Sequence, residues 1–438
     1  MADWIAETFR SDAGWDHLET LVDIGNRMAG QPGEMAGLEA TRDALADAGA
    51  RDARVETFDL QGWVRGDSSV TTPETIEESI GLPRSPAGDV SAELIDLGAG
   101  LPEDFERADV EGKVVLVTSD VPSYFDRYIH RTEKYHYAVE GGAAAFVYAN
   151  HVPGQLPPTG SVGGSDGGPI GDIPAVGVSS ETGARLARRF DGADVTVSVD
   201  CETPDAESGN AVAELGPDTE EYVILSSHVD AHDIAEGARD NGAGTATIVE
   251  VAKALAARED ELDTRVKCIA YGAEEVGLVG SEVEAENADL EAIKAIVNVD
   301  SNMGDRTLEL TTHRFDELDA AAGRVAERFD HPIATVPRTV PHSDHWPFVR
   351  WGVPGYMVSS KSESAGRGWG HTSADTLDKL EARTLREQSI LLTELVVEVA
   401  DGSVEIPHEE PETMADYLKQ EDQAIGMKKT GGWPYDFE

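Results

Sequence analysis

The stretch Ser227-His-Val-Asp-Ala-His-Asp-Ile-Ala-Glu-Gly-Ala-Arg-Asp-Asn-Gly-Ala-Gly244 decides how the rest of the chain is arranged. A short apolar run with β-branched members, residues 222–226, comes directly before it. Residues 243–257 overlap its end and repeat apolar side chains at helical spacing. The pattern therefore predicts the end of a strand, a loop and the start of a helix, with metal-binding residue types in the loop.

Three side chains of this stretch are candidates for a metal site. Side chains two apart in a strand share a face, so His228 and Asp230 point the same way, as a metal ligand and its hydrogen-bonding partner would. Asp240 stands just before the predicted helix, where it could equally cap that helix together with Asn241. The stretch alone leaves both roles of Asp240 open.

Length and charge limit the class of protein. A chain of 438 residues exceeds what one hydrophobic core usually serves, so we expect two domains or one domain with a large insertion. The 84 acidic residues against 35 basic ones give a formal net charge of −49. Phosphate binding needs a basic surface, which argues against a nucleic-acid partner. The carboxylate excess resembles proteins of salt-loving archaea, in which concentrated cations screen self-repulsion, and predicts a haloarchaeal source.

The cysteines and the N-terminal sequence bear on the compartment. Only Cys201 and Cys268 are present, so no disulfide framework is expected. Residues 1–10 lack the basic and apolar regions of a secretory signal, and no uncharged apolar run is long enough to span a bilayer. We therefore expect a cytoplasmic protein without a membrane partner, and the sequence leaves a homo-oligomer open.

Apolar periodicity and turn residues divide the chain. Helices are predicted over 14–28 and 34–49 and a strand over 54–60, after which prolines and glycines cluster from about residue 73 to 88. We take this cluster as a domain boundary. The expected parts are the start of the main domain, an insertion, the rest of the main domain, and a tail that docks on the body or on a neighbouring subunit. Their limits are 1–75, 76–205, 206–400 and 401–438.

The insertion has its own sequence pattern. Its runs Gly112-Lys-Val-Val-Leu-Val117, Gly141-Gly-Ala-Ala-Ala-Phe-Val147 and Ile173-Pro-Ala-Val176 resemble the protease-associated domain. The resemblance implies a β-rich α+β unit, and the segment contains no cluster of catalytic residue types. Its histidines are expected on the surface or in loops rather than as metal ligands; they are His130, His136 and His151.

Beyond residue 205, strands alternate with helices up to a final helix predicted over 376–400. This alternation predicts a mainly parallel α/β sheet flanked by helices, and ligands of such sheets bind beyond the carboxyl ends of the strands. Singly, the chelating residues at these ends have ordinary explanations, such as a solvated loop pair or an Asx-turn. Together they predict one site, to which we assign Glu274-Glu275, Asp300, Ser343-Asp344-His345 and Gly370-His371-Thr-Ser-Ala-Asp375.

The motifs follow one another as His-x-Asp, Asp-Asn-Gly-x-Gly, Gly-Ala-Glu-Glu-x-Gly-x-x-Gly-Ser, Asn-x-Asp and His-Thr-x-x-Asp-Thr. That order resembles the co-catalytic zinc exopeptidases, which include bacterial leucine aminopeptidases and carboxypeptidase Q. The resemblance implies a phosphorylase/hydrolase-like α/β domain, interrupted by the insertion, that binds two zinc ions. One ion is held by His228 and Asp300 and the other by Glu275 and His371, and Asp240 is shared by both.

The implied reaction removes N-terminal residues from peptides, using a water bridged between the two metal ions. Two ions about 4 Å apart need a bridging carboxylate to offset their repulsion, which agrees with the role implied for Asp240. The resemblance implies Glu274 as the general base, which takes the proton of the water and returns it to the leaving amine. It implies Asp230 as the residue that orients His228.

One position departs from the family pattern. Secreted aminopeptidases of this family have a tyrosine that stabilises the oxyanion, whereas this chain has Val340 there. His342 and His345 are candidates for that role or for a structural one.

Other functions fit part of the pattern. They are a dipeptidase of the carboxypeptidase Q kind and a non-catalytic receptor-like homologue, although the complete ligand set disfavours the latter. A glutaminyl cyclase resembles the catalytic domain but normally lacks the insertion.

Overall fold

The computed structural model describes residues 3–125, 127–163, 170–361 and 368–437. Helices and strands within these ranges are numbered in chain order. The helices are α1 (Asp3–Arg10), α2 (Ala13–Ile24), α3 (Pro32–Asp47), α4 (Pro102–Arg107), α5 (Arg131–Glu140), α6 (Ser180–Phe190), α7 (Ala243–Ala256), α8 (Val279–Asn287), α9 (Asp316–Phe329), α10 (Trp346–Val349), α11 (Ala382–Ala400), α12 (Pro411–Gln420) and α13 (Gln423–Thr430). The strands are β1 (Arg51–Gln61), β2 (Val64–Thr71), β3 (Ile76–Glu78), β4 (Ile80–Gly81), β5 (Gly88–Asp96), β6 (Val114–Thr118), β7 (Ala145–Ala149), β8 (Ala175–Val178), β9 (Asp194–Glu202), β10 (Asp205–Leu215), β11 (Tyr222–His228), β12 (Arg265–Tyr271), β13 (Ile293–Val299), β14 (Leu308–Thr311), β15 (Ala334–Val336) and β16 (Gly355–Ser360).

The main domain is built on one sheet in the order β1-β10-β12-β11-β13-β16-β14-β15. The central strands β12, β11, β13 and β16 are parallel to one another. β10 runs antiparallel to both β1 and β12, and β14 runs antiparallel to β16. This arrangement confirms the predicted α/β fold with a mainly parallel sheet, in which the parallel strands form the centre.

Helices cover both faces of this sheet, which explains the continuous apolar runs of its strands. Successive side chains of a strand point to opposite faces. Val223 and Leu225 of β11 lie in the large core that includes Leu38 of α3 and Leu392 of α11. Ile224 of the same strand lies in a smaller core on the other face, against which Ala285 of α8 packs.

The inserted domain is a second sheet in the order β3-β2-β9-β5-β6-β7-β8-β4, whose strands β5 to β8 are parallel. It has a core on each face as well. Val114 of β6 lies in the same core as Leu186 of α6, whereas Val115 lies in the opposite core with Tyr135 of α5. The continuous apolar run of β6 therefore supplies side chains to both cores from one short strand.

Strand pairing places the insertion between two neighbouring strands of the main sheet. β1 pairs antiparallel with β10, and the last pair joins Gln61 to Asp205. β2 already pairs with β3 and β9 in the second sheet, so the change of sheet lies at residues 62–63, earlier than the proline and glycine cluster suggests. That cluster falls instead in the turns and short edge strands around 73–88 within the inserted sheet.

The last part of the chain forms α12 and α13 and then continues without a helix or strand to residue 437. Met414 and Leu418 of α12 are buried in the large core of the main domain. The C-terminal region thus docks on the body, one of the two arrangements that the sequence left open. No helix among the described ranges has both the length and the apolar character needed to cross a membrane.

Candidate metal centre

Three neighbouring parallel strands carry predicted site residues at their carboxyl ends. β11 ends at His228, and Asp300 directly follows β13. Glu274 and Glu275 follow shortly after Tyr271, the last residue of β12. Because β11 pairs in parallel with both β12 and β13, these ends meet at one edge of the sheet.

A first buried cluster consists of His228, Asp240 and Asp300. His228 Nε2 lies 3.5 Å from Asp240 Oδ1 and 3.8 Å from Asp300 Oδ1. On its other side, His228 Nδ1 lies 3.1 Å from the backbone oxygen of Asp230 and 3.3 Å from its carboxylate. Nε2 therefore faces the two carboxylates, while Asp230 fixes the ring from behind, as a supporting partner of a metal ligand does.

A second cluster lies against the other oxygen of Asp240. His371 Nε2 is 3.2 Å from Asp240 Oδ2 and 3.4 Å from Glu275 Oε2. His232 completes this group, and its Nε2 lies 2.9 Å from Glu275 Oε2. The rings of His232 and His371 are nearly perpendicular, with 4.5 Å between their centres. The two oxygens of one carboxylate thus face two separate sets of ligand atoms.

The loop before α7 holds Asp240 in this position. Both oxygens of the Asp375 carboxylate accept backbone hydrogen bonds, from the N–H of Arg239 at 2.8 Å and of Asp240 at 3.0 Å. The peptide bond between Asp240 and Asn241 is cis. Asn241 Oδ1 accepts the N–H of Gly244 in the first turn of α7 at 3.0 Å. Asn241 therefore forms a hydrogen bond with the start of α7, whereas the Asp240 side chain faces the two ligand clusters.

The adjacent glutamates are positioned through their backbone. The Asp230 carboxylate accepts the N–H groups of Glu274 at 3.1 Å and Glu275 at 3.0 Å. One residue earlier, Ala273 has a left-handed φ of 57°, and its N–H donates to the buried Glu34 at 2.8 Å. The side chains then diverge, so that Glu275 enters the second cluster whereas Glu274 stays outside both clusters.

Glu274 faces a cleft of about 280 Å³ that Glu275 and His371 also line. Part of the cleft wall comes from the inserted domain, including His130 at the start of α5. His130 stacks on His342 of the main domain at 5.1 Å between ring centres. The expectation that His130 lies in a loop is met, but this loop borders the candidate site.

The two histidines considered as oxyanion donors have different surroundings. His342 lines the cleft. His345 is buried, with Nε2 3.1 Å from the backbone oxygen of Val340 and its ring beside that of His313. Of the two, His342 is the one that a bound molecule can contact.

Opposing charges shape the proton affinities of the site. Burial disfavours the charged form of His228, but Glu274 and further carboxylates outweigh it and raise the pKa of His228 well above its ordinary value. Burial raises the pKa of Glu274 strongly; His228 opposes this shift, while Glu275 and Asp344 add to it. Burial, with Arg131 and Arg65, lowers the pKa of His232 to about 3, so its imidazole is neutral.

The donor set fits divalent metal ions. Glu275 Oε1 is buried and has no hydrogen-bond partner among the described residues, a costly state that coordination relieves. Imidazole nitrogens and carboxylate oxygens are ligands that suit zinc. Several carboxylates also crowd this buried edge, and a cation offsets their repulsion. They are Asp230, Asp240, Glu274, Glu275 and Asp300.

Sequence reasoning overlooked His232 and two buried supporting residues. His232 extends the His-x-Asp pattern to His-x-Asp-x-His, a spacing that keeps all three side chains on one face of an extended segment. Arg27 and Glu34 belong to no motif. They lie between α2 and α3 and at the start of α3, roughly 200 residues before the loops they contact, so only the fold reveals them.

Comparison with known families identifies two domains in the chain. Residues 210–396 match the model of peptidase family M28, and residues 90–186 match the PA domain model. The chain contains an M28 peptidase domain and a PA domain. It is thus an enzyme, a metallopeptidase. The prediction of a metallopeptidase and the prediction of a protease-associated domain are both confirmed.

Individual relatives align with different shares of the chain. Aminopeptidase YwaD of Bacillus subtilis is 25% identical, with 89% of this chain and 85% of the relative aligned. Leucine aminopeptidase 2 of Trichophyton equinum is 34% identical over 43% of this chain and 37% of its own length. The fold is similar to that of an aminopeptidase from Aneurinibacillus sp. strain AM-1, with a TM-score of 0.68, 24% identity, and coverage of 93% of this chain and 97% of the other.

Proposed function

We propose that this M28 peptidase is a zinc-dependent aminopeptidase that binds two zinc ions per chain. The observation that carries the proposal is the position of Asp240, whose Oδ1 lies 3.5 Å from His228 Nε2 and whose Oδ2 lies 3.2 Å from His371 Nε2. A single carboxylate between two ligand sets is what two adjacent cations need to offset their repulsion. The names of the relatives, several of them aminopeptidases, support the activity.

Each zinc ion would have its own ligands in addition to the shared Asp240. His228 and Asp300 would hold one ion, and Glu275 and His371 the other, with His232 beside this second pair. Zinc supplies Lewis acidity, which polarises the peptide carbonyl and lowers the pKa of a bound water towards neutrality. Asp230 supports this arrangement by orienting His228 and by holding the backbone of Glu275.

Glu274 is the residue that we propose moves the proton. It lies beside the ligand clusters without belonging to them, and it lines the cleft in which a peptide would bind. A carboxylate whose pKa is raised by burial can accept the proton of the attacking water and return it to the leaving amine. Asp230 fixes the backbone of Glu274, so the base is held in place before substrate arrives.

A dipeptidase of the carboxypeptidase Q kind is the second candidate. The small volume of the cleft, about 280 Å³, favours it.

A comparison of substrates tests the proposal. The purified protein should release the first residue of an unblocked tripeptide and of an aminoacyl anilide, and it should leave the N-acetylated tripeptide intact. Metal analysis should find about two zinc ions per chain, and chelation should abolish activity. Equal cleavage of the acetylated peptide would refute the aminopeptidase assignment, and cleavage restricted to dipeptides would favour the second candidate. Activity unchanged after complete removal of metal would refute the zinc requirement.

A further inference from the structure

The C-terminal segment after α11 connects the two domains across the mouth of the candidate site. On the inserted domain, Lys429 of α13 pairs with Glu140 of α5 and lies over the ring of Tyr137, 4.2 Å from its centre. On the main domain, the hydroxyl of Tyr435 donates to the backbone oxygen of Arg350 at 2.7 Å. The segment is therefore fixed at both ends of its path.

Close packing holds α13 against the inserted domain. A Cβ atom at Gly426 would lie 2.5 Å from the buried Glu133 carboxylate, so α13 and α5 approach at a distance that only glycine permits without a shift. Glu133 is itself paired with Arg127 at 2.5 Å. A helix seated in this way does not move without losing that close contact.

The same segment lines the cleft that contains the candidate catalytic groups. Met427 and Thr430 of α13, followed by Trp433 and Pro434, border the cleft that Glu274 also lines. Lys428 lies over the ring of Trp433, 5.0 Å from its centre, and Tyr435 packs edge-on against that ring. Trp433 is thus held between neighbours of its own segment.

We propose that residues 423–434 form a specificity-determining wall of the substrate cleft, which restricts this peptidase to short peptides of two or three residues. This inference rests on the proposed aminopeptidase or dipeptidase function. It assigns a role to a segment that the metal chemistry does not require.

The size of the cleft supports this limit. Its volume of about 280 Å³ lies just below the range of about 300–1,000 Å³ that is usual for small-molecule sites. A cleft of this volume suits a short peptide better than a long one.

Two matched variants test the wall. Trp433→Ala removes a large side chain from the cleft wall, whereas Phe437→Ala removes an aromatic ring from the same segment outside the cleft. Both, with the wild type, would be assayed on leucine 4-nitroanilide and on a series of leucyl-oligoglycine peptides of two to six residues. Melting temperatures would show that both variants are folded.

We expect the wild-type kcat/KM to fall at least about tenfold between the tripeptide and the hexapeptide, which is an easily measured difference in barrier. Trp433→Ala should raise the ratio of kcat/KM for the hexapeptide to kcat/KM for the tripeptide about tenfold, while Phe437→Ala should keep the wild-type ratio. Wild-type cleavage of the hexapeptide as efficiently as the tripeptide, with anilide hydrolysis intact, would overturn the wall and leave the proposed function standing. Equal effects of the two variants would also overturn it. Failure to hydrolyse any of these substrates would overturn the function and the wall together.

Discussion

Glu274 and Glu275 show how one backbone turn gives identical side chains different surroundings. Their N–H groups bind opposite oxygens of Asp230, so the pair is held as a unit. Glu275 Oε2 then lies 2.9 Å from His232 and 3.4 Å from His371, whereas Glu274 belongs to neither ligand cluster. Composition cannot separate the two residues, but their geometry does.

Substitution of each glutamate should separate metal binding from turnover. We expect Glu274→Gln to keep both zinc ions and substrate affinity while kcat falls about 10²–10⁴-fold, the usual contribution of a general base. Glu275→Ala should instead lose one zinc ion, because it removes a ligand from the second cluster. Zinc content and single-substrate kinetics of both proteins provide the measurement. Loss of metal by Glu274→Gln, with two ions retained by Glu275→Ala, would show that the roles are reversed.

At the scale of elements, the site loops are held by parts of the chain far from them in sequence. Arg27, between α2 and α3, is fully buried. Its guanidinium donates to the backbone oxygens of Val229 at 3.0 Å, Glu236 at 3.0 Å and Gly237 at 3.0 Å, all in the loop between β11 and α7. Burial lowers its pKa to about 10, which still leaves it charged at neutral pH.

Arg27→Lys should therefore destabilise the protein although it preserves the charge. Lysine offers one ammonium group in place of a planar fork, so it leaves buried carbonyl oxygens without a donor. We expect a loss of about 2–4 kcal/mol in unfolding free energy and a lower kcat, measured by denaturant unfolding and anilide hydrolysis. The control is Arg42→Lys, a partly exposed arginine of α3 paired with Asp43, which should change neither quantity appreciably. A stable and fully active Arg27→Lys protein would contradict the proposed support of the loop.

The sequence predicts elements well where burial dictates residue type and poorly where it does not. β11 and β13 are buried along their whole length, so their apolar runs were recognisable. β2 reads Val-Arg-Gly-Asp-Ser-Ser-Val-Thr and is mostly partly exposed, which explains why the boundary of the insertion was predicted too late. The final helix was predicted from 376, but α11 begins at Ala382 after a short 3-10 turn over Leu377–Lys379.

The residues of the candidate site also divide into those that the sequence predicts and those that it does not. The five predicted ligands stand in motifs whose order carries the resemblance, and the structure brings these five side chains together in the two clusters. Supporting residues are different, because any fold can supply a buried donor from any part of the chain. Arg27 and Glu34 contact backbone atoms, which every residue type offers in the same form. These contacts therefore leave no pattern in the sequence of the loops.

At the scale of the whole molecule, charge is the dominant feature. An accessible surface of 16876 Å² divided among 49 net negative charges leaves about 340 Å² for each, a mean spacing of about 18 Å. That spacing is about two Debye lengths in 0.1 M salt and about six in 1 M salt. Each repulsion is weak, but every charge has several neighbours, so the sum in dilute salt reaches a few kcal/mol. Net stabilities of folded proteins are only about 5–15 kcal/mol, so this term is significant.

The protein should consequently be more stable in concentrated salt. We expect a higher melting temperature in 3 M than in 0.1 M potassium chloride, because screening removes the repulsion that favours the unfolded chain. Sorbitol at matched osmolarity is the control, since it is excluded from the protein surface but does not screen charge. Equal melting temperatures in the two salt concentrations would contradict the expected stabilisation by salt. Only the salt can act on the 84 carboxylates through their charge. If sorbitol raised the melting temperature by the same amount, the stabilisation would therefore come from exclusion of solute from the surface and not from screening.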